Sequence, residues 1–228
     1  MSFAGFSRPA LDELQLLPGL DPTGYATRRE LLNSGLIVPA RALLEEIIAR
    51  LPVPLTTSAK GSVSPLHTDL RFAPAGAPRY KDHLLLTAWH GPDKKAGPVL
   101  WIRIGSTSVG FASGVPFTPP VRERWRAAVG GAAGARLASS LEELQRRHAR
   151  HDLEVAGDAV QRVPAPWSDE HPRAELLRKT GFQVRFQLPM PREVQRPAFA
   201  GWCTERWSEL LPTHQWLVKH LYLEKLAR

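Results

Sequence analysis

The residue types that can do chemistry are concentrated in one segment of the chain, residues 64–83, around a loop rich in proline and glycine. The pattern predicts a strand, a loop and a second strand. In extended arms alternate side chains share a face, so Asp69 and Arg71 lie on one side of the first arm. The second arm separates its polar residues in the same way, with Arg79, Lys81 and His83 on one side and Tyr80 and Asp82 on the other.

Such a set of side chains can hold an anion such as phosphate. Arg71 would give paired hydrogen bonds, and Lys81 would supply a point charge. Asp69 would orient a basic partner, and His83 would donate or accept a proton near neutral pH. The alternative is an ion-pair network in which Asp69 pairs with Arg71, or Asp82 with Lys81, and stabilises the loop. The residue types alone leave both interpretations open.

A metal site is not predicted. His67 and Asp69 form an H-x-D pattern, which together with a distant histidine is the ligand set of non-haem iron oxygenases. The later candidates, His148 and His151, fall in a stretch with helical spacing, and three-residue patterns arise easily by chance. No cofactor is predicted either, because the chain has no Walker loop, G-x-S-x-G or H-E-x-x-H motif.

The composition is that of an ordinary folded protein. Of the 228 residues, 43% are hydrophobic and 23% are charged, values close to globular averages that indicate neither a disordered nor a fibrous class. The single Cys203 excludes an intramolecular disulfide and fits a reducing compartment. Residues 1–10 lack a secretory signal pattern, and no apolar run is long enough to span a bilayer. We therefore expect a cytoplasmic protein without membrane association.

The excess of basic over acidic residues in the chain favours anionic partners. The formal net charge is +8, and residues 122–151 hold seven arginines against three glutamates, a local excess of four positive charges. A basic surface attracts phosphates and nucleic acid. The alternative is a solvated helix face in which Glu142 pairs with Arg146 and Glu143 with Arg147.

Hydrophobic spacing predicts the elements that must position these residues. The first fifty residues are expected to be helical, with one helix after Ser7, one over 24–33 and one starting at Pro39. Three short apolar runs separated by glycine-containing turns then predict an antiparallel meander, because parallel pairing needs long crossovers. These runs are Leu84–Trp89, Val99–Ile104 and 108–112.

The second half of the chain is predicted to be mixed. Helices are expected over 121–129 and 141–150, a strand over 181–188, and two packed C-terminal helices parted by Pro212. Together these elements predict one α+β domain over residues 1–228, with an antiparallel sheet packed by N-terminal and C-terminal helices. Its expected regions are helical 1–52, sheet-rich 60–115, mixed 120–190 and helical 195–228.

Several blocks resemble an uncharacterised family, mostly bacterial with fungal relatives, that is catalogued as a domain of unknown function. Its hallmark is R-D-x-R-F, a short polar loop and P-Y-K-x-H, matched here by D-L-R-F at 69–72 and Y-K-D-H at 80–83. A later block, D-E-H-P-R-A-E-L-L-R-K at 169–179, also agrees, and the resemblance spans nearly the whole chain. Within that block Arg178 can reach the hairpin or interact with its own helix terminus. The resemblance implies a shared fold but no reaction.

The chain departs from the family pattern at several positions. Thr68 stands where the family has arginine, Arg79 intervenes before the tyrosine, and the loop 73–77 lacks the lysine and aspartate that the family tends to carry. The early N-D-R-x-W-F block is reduced to Asp21 and Tyr25. A divergent member can lose an activity and keep a fold.

The leading hypothesis is binding of an anionic, phosphate-containing ligand at the hairpin of residues 69–83, with a possible hydrolytic or phosphoryl-transfer step. The candidate catalytic residues are His83 and Asp69, and the candidate ligand-binding residues are Arg71, Arg79, Tyr80, Lys81 and Arg178. The alternatives are nucleic-acid binding through residues 122–151 and a non-catalytic interaction or assembly protein with a protein partner. The sequence leaves open whether the chain is an enzyme.

Overall fold

A computed structural model describes residues 2–223 of the chain. Within this range the chain forms two compact units. The first comprises residues up to 87 together with 101–110 and 188–206, and the second comprises 88–100, 111–187 and the described residues from 207 onward. The predicted α+β class is confirmed, with an antiparallel sheet in the middle of the chain flanked by helices on both sides in sequence.

The N-terminal helices are α1 (Arg8–Leu16), α2 (Pro22–Leu32) and α3 (Val38–Arg50). The α2 helix starts earlier than predicted because Asp21 caps it, accepting a hydrogen bond from the Gly24 amide at 2.6 Å. A π-helical turn, Asn33–Ile37, joins α2 to α3 without a loop. Such turns are frequent at functional sites.

In the described chain, five strands form one sheet in the order β1-β2-β3-β5-β4. Their bounds are β1 Leu84–Trp89, β2 Val99–Ile104, β3 Ser108–Val115, β4 Glu154–Ala156 and β5 Phe182–Pro189. The predicted meander is confirmed as β1-β2-β3. The three-residue strand β4 was not predicted; it pairs antiparallel with β5, and Glu154 lies opposite Arg185. These two side chains form an ion pair at 2.5 Å.

Two helices, α4 (Pro119–Gly130) and α5 (Ala133–Arg147), follow the meander, and the short α6 (Ala174–Arg178) precedes β5. The buried Trp125 of α4 donates its indole N–H to the Leu176 carbonyl of α6 at 2.7 Å. Arg173 donates to the last carbonyls of α4, from its Nε to Val129 at 2.7 Å. Helix capping and packing thus explain much of the family-like sequence block at residues 169–179.

The C-terminal region is one helix, α7 (Ala198–Leu221), and the prediction of two helices parted by Pro212 was wrong. A proline inside a helix removes one backbone hydrogen bond and costs about 3 kcal/mol. Here the flanking residues are almost completely buried, including Leu210, Thr213 and Leu217. Burial of each large apolar side chain contributes about 1.5–3 kcal/mol, so packing on both sides of Pro212 outweighs the break.

Candidate functional site

The segment 64–83 forms an irregular hairpin. Its arms run antiparallel, since Thr68 N donates to Arg79 O at 2.9 Å and Lys81 N to Leu66 O at 2.8 Å. Instead of the two predicted strands, the arms pair through an isolated bridge between His67 and Tyr80. Prolines at positions 65, 74 and 78 remove backbone donors and explain why no continuous ladder forms.

Asp69 and Arg71 pair with each other at the exposed end of this hairpin. The guanidinium donates from Nε and Nη2 to the two carboxylate oxygens at 2.9 and 2.7 Å. These bonds lower the pKa of the Asp69 carboxyl. Beside them, Phe72 is 85% exposed and lies under the Arg71 guanidinium. This pair is the ion-pair alternative considered for the segment, and it leaves Asp69 engaged away from His83.

The remaining hairpin residues are distributed over different environments. Tyr80 is buried and stacks on Tyr25, with ring centroids 4.2 Å apart. Lys81 donates from Nζ to the Pro65 carbonyl at 2.9 Å, and burial lowers its pKa. Arg79 is exposed. Strict alternation of faces, on which the predicted site depended, does not hold in an irregular arm.

Arg178 has a local partner in the second unit. Its Nη2 donates to Asp169 Oδ1 at 2.6 Å, and the Val163 amide donates to the same oxygen at 3.2 Å. The Arg178 hydrogen bond, followed by that from Val163, lowers the pKa of Asp169. This pair connects the end of α6 to the residues that precede the helix.

The structure gives His83 a different carboxylate partner from the one expected. Asp82, not Asp69, accepts from His83 Nδ1 at 2.6 Å, and the same Asp82 oxygen accepts from Arg103 Nη2 at 2.9 Å. Arg103 lies on β2 between the buried Ile102 and Ile104, so its side chain leaves the opposite face of the strand. One carboxylate therefore fixes both an imidazole and a guanidinium.

Asp82 and Arg103 border a small polar cleft in the first unit, with a volume of about 280 Å³, which we call the Arg103 cleft. Its other lining residues come from the end of α1 and from the turn between β2 and β3: Gln15, Pro18, Gly105, Ser106, Thr107 and Ser108. The turn is closed by a hydrogen bond from Gly105 N to Ser108 O at 2.9 Å. Three residues with hydroxyl side chains thus line the same cleft as Arg103.

The electrostatics of the cleft favour a neutral imidazole beside an ionised carboxylate. Burial lowers the pKa of His83, and the hydrogen bond to Asp82 only partly offsets this effect, while the charges of Arg103 and Lys81 lower it further. Burial opposes ionisation of Asp82, but the hydrogen bond from His83 and the charge of Arg103 outweigh it and lower the pKa of Asp82. The neutral His83 therefore donates from Nδ1 and keeps an unprotonated Nε2.

Arg103 was not singled out from the sequence. A single arginine within the apolar run V-L-W-I-R-I was a usable signal, because its place between two isoleucines puts it on the other face of a strand. No comparable sequence signal indicated that residues 105–108 line the Arg103 cleft. Short turns of small polar residues are common between strands, and their use in a cleft depends on what packs beside them.

The described residues offer no metal centre, since no group of three or more His, Cys, Asp or Glu side chains among them could hold an ion. His67 instead packs edge-on against the rings of Tyr25 and Tyr80, at centroid distances of 4.8 and 5.0 Å. Cys203 is buried, and burial raises the pKa of its thiol well above the usual value. No helix within residues 2–223 is both long and apolar enough to cross a membrane.

The basic segment 122–151 occupies α4, α5 and the residues that follow. Glu143 pairs with Arg147 at 3.1 Å, as expected, but Arg146 also pairs with Glu143 instead of Glu142. Part of the positive charge is therefore compensated within α5. Nucleic-acid binding by this segment stays a prediction.

The family model described as "Conserved hypothetical protein (DUF2461)" matches residues 32–216. The chain belongs to this family. The resemblance to a family of unknown function is thereby confirmed, and the match includes Asp82, His83 and Arg103 but begins after Tyr25. No curated protein and no solved structure gives a significant match to the chain. Membership of DUF2461 assigns no ligand to the chain.

Proposed function

We propose that this protein binds a small phosphate-containing anion in the Arg103 cleft. The observation that carries the proposal is the Asp82 carboxylate, which holds Arg103 at 2.9 Å and His83 at 2.6 Å beside three hydroxyl residues. A positioned guanidinium with hydroxyl donors is a common way to bind phosphate. Of the residues that the sequence predicted for phosphate binding, His83 belongs to this site. Asp82 and Arg103 take the roles that were expected for Asp69 and Arg71.

Arg103 keeps most of its donors for a ligand. A guanidinium has five N–H groups, and among the described residues the hydrogen bond to Asp82 engages one Nη2 donor. The Arg103 side chain is 36% exposed, so it can be reached from the cleft while its orientation stays fixed. Arg71, by contrast, is 80% exposed and gives two donors to Asp69. Arg103 is therefore the better anion ligand of the two.

The net charge of +8 supports the same proposal, because long-range attraction raises the encounter rate with anions. Asp82 is the unfavourable group in the cleft. Its charge is balanced locally by Arg103, and the neutral His83 adds no further charge. The cleft is small and lined by polar groups, which favours a compact phosphate ester over a bulky apolar ligand.

A hydrolytic step is the extension of this proposal. His83 Nε2 would accept a proton from a water molecule as the water oxygen attacks phosphorus and the bond to the leaving alcohol breaks. The proton would then pass to the alcohol. Asp82 would keep the imidazole in the required tautomer, as the carboxylate partner of a catalytic histidine does.

Binding is tested by titrating the full chain with phosphate monoesters in a calorimeter, with Arg103→Ala compared against Arg71→Ala. Both variants remove one arginine from the first unit, so the overall charge change is matched. We expect Arg103→Ala to weaken binding by about tenfold or more, as loss of a charge-assisted hydrogen bond does, and Arg71→Ala to have little effect. Equal losses in both variants would show that the effect comes from net charge alone.

Hydrolysis is tested separately by release of p-nitrophenol from its phosphate ester. His83→Gln should abolish turnover and leave phosphate binding within about twofold, since Arg103 remains in place. The rate should fall at acidic pH as His83 becomes protonated, below the ordinary histidine value of 6.5. Turnover that His83→Gln does not change would remove the hydrolytic step and leave the binding proposal intact.

A further inference from the structure

One side of α4, in the second unit, combines two arginines with a tryptophan. Arg122, Arg126 and Gly130 follow each other at i,i+4 spacing, so they form one row along the helix. The indole of Trp167 occupies the Gly130 end of this row, where a Cβ on the glycine would overlap with its Nε1. Two guanidinium groups and one aromatic ring therefore lie along the same side of α4. We call these three residues, Arg122, Arg126 and Trp167, the α4 surface.

The position of Trp167 is fixed by the segment that carries it. Arg173 joins this segment to the end of α4, because it donates from Nε to the Val129 carbonyl at 2.7 Å and from Nη2 to the Gly131 carbonyl at 3.1 Å. Any side chain at position 130 would displace the indole, so glycine permits this contact. Trp167 is nevertheless partly exposed, and part of its surface is open to a partner.

Arg122 and Arg126 are held at their stems and unpaired at their ends. The Nε atom of each is buried, so the aliphatic part of the side chain packs against the protein. Both residues are partly exposed, and among the described residues no hydrogen bond or ion pair engages either guanidinium, including one from the exposed Glu123. Like charges one helical turn apart repel each other. An anionic ligand would remove this repulsion.

Three other arginines of the basic segment 122–151 have partners. Arg124, on α4, donates from Nη1 to the Tyr222 carbonyl at 3.3 Å. On α5, Arg146 and Arg147 both pair with Glu143. The α4 surface therefore keeps two fixed positive charges side by side, whereas the charge of α5 is partly compensated.

We propose that the α4 surface binds single-stranded nucleic acid. Arg122 and Arg126 would each contact a phosphate group of the strand, and Trp167 would stack on one base. Arginine binds phosphate through parallel N–H donors, and stacking of bases on aromatic side chains is typical of proteins that bind single strands.

A single strand fits the three residues better than other polyanions do. A duplex keeps its bases stacked inside, so it would leave Trp167 unused. An acidic protein segment would neutralise the arginines but has no base to stack. The α4 surface and its ligand differ from those of the phosphate proposal, and neither proposal depends on the other.

Binding is tested by the fluorescence anisotropy of labelled oligothymidylate and oligouridylate of about 12 nucleotides, titrated with the full chain at low salt. We expect saturable binding, at least about fivefold tighter than that of a duplex of equal length, of polyphosphate or of poly-L-glutamate, because none of these offers an unstacked base. Binding of either strand supports the proposal, and the tighter of the two identifies DNA or RNA as the ligand.

The phosphate contacts are tested by the salt dependence of binding. In the double variant Arg122→Ala/Arg126→Ala, the plot of log affinity against log salt concentration should become shallower by about 1.4, because each phosphate contact with a single strand contributes about 0.7. The matched control, Arg146→Ala/Arg147→Ala, removes the same charge from α5 and should leave the slope unchanged. Equal slopes in the two double variants would overturn the proposal, because the effect would then come from net charge.

The stacking contact is tested by substitutions of Trp167. Trp167→Ala should weaken strand binding by about fivefold or more, without a change in the salt slope. Trp167→Phe keeps a ring beside Gly130 and should bind within about threefold of the parent chain, which separates stacking from lost packing. Absence of saturable strand binding at low salt would overturn the proposal, as would unchanged affinity in a folded Trp167→Ala or equally tight binding of polyphosphate.

Discussion

Lowering the pH from 7 to 4 should destabilise the folded chain through one buried histidine, His214. This residue lies on α7 and is 1% exposed. Its Nδ1 is 3.2 Å from Ser113 Oγ, while its Nε2 is buried without a hydrogen-bond partner among the described residues. Burial, with a smaller effect of His90, lowers the pKa of His214 from 6.5 to about 4. The fold therefore holds this imidazole in the neutral form.

The magnitude follows from the difference in pKa between the two states. Each pKa unit corresponds to about 1.4 kcal/mol, so a fall from 6.5 to about 4 is worth about 3 kcal/mol. Because the folded-state pKa is the lower one, the unfolded state takes up the proton first as the pH falls. The stabilisation is complete above pH 6.5 and is lost by about pH 4.

The assay is urea-induced unfolding at several pH values between 7 and 4, followed by tryptophan fluorescence. In His214→Gln the loss of unfolding free energy over this range should be smaller than in the parent chain by about 3 kcal/mol. Contributions from other groups, including His83, cancel in this difference. His151→Gln, which removes an exposed imidazole, is the control for the substitution itself.

The reasoning is refuted if His214→Gln and the parent chain lose the same free energy between pH 7 and 4. Where the variant proves too unstable to measure, an NMR titration of the parent chain replaces it. A His214 midpoint near 4 supports the account, and a midpoint near 6.5 contradicts it.

Three further predictions concern packing and the site. Gly114→Ala should destabilise the fold by about 1–3 kcal/mol, because the added carbon would lie 2.5 Å from the Phe182 carbonyl; thermal unfolding measures this. Trp125→Ala should cost about 3–5 kcal/mol, since the ring is fully buried and its N–H is hydrogen-bonded, and denaturant unfolding checks it. Asp82→Asn should move the NMR titration midpoint of His83 to lower pH, because Asp82 raises the pKa of that imidazole; an upward shift would contradict the pairing.

The sheet was predictable where local pattern and turn chemistry agree. The bounds of β1 and β2 follow from apolar runs that the pairs Gly91-Pro92 and Gly97-Pro98 separate, and the structure places both strands at the predicted residues. The strand β4 has three residues and no hydrophobic periodicity of its own. It is extended because it pairs with β5, and that pairing is not visible in the local sequence. The continuous α7 was missed because the local effect of Pro212 is visible in the sequence, whereas the burial that outweighs it is not.

The candidate site was predictable in part. Residue types directed attention to the hairpin, and His83, one of the residues expected at the site, contacts Asp82 at the border of the Arg103 cleft. The carboxylate partner of His83 could not be assigned from the sequence. In a regular strand Asp82 and His83 would point to opposite faces, but the second arm of the hairpin is not a regular strand. Arg103 is 21 residues away from Asp82 in sequence, and only the sheet brings the two together.

The most direct test of the phosphate proposal is an NMR map of the binding site on the unmodified chain. Inorganic phosphate is added to the labelled protein, and the amide shifts are followed to saturation. The proposal predicts that the largest changes fall at His83, Arg103 and residues 105–108. Changes confined to residues 69–72, or to the basic segment 122–151, would contradict it.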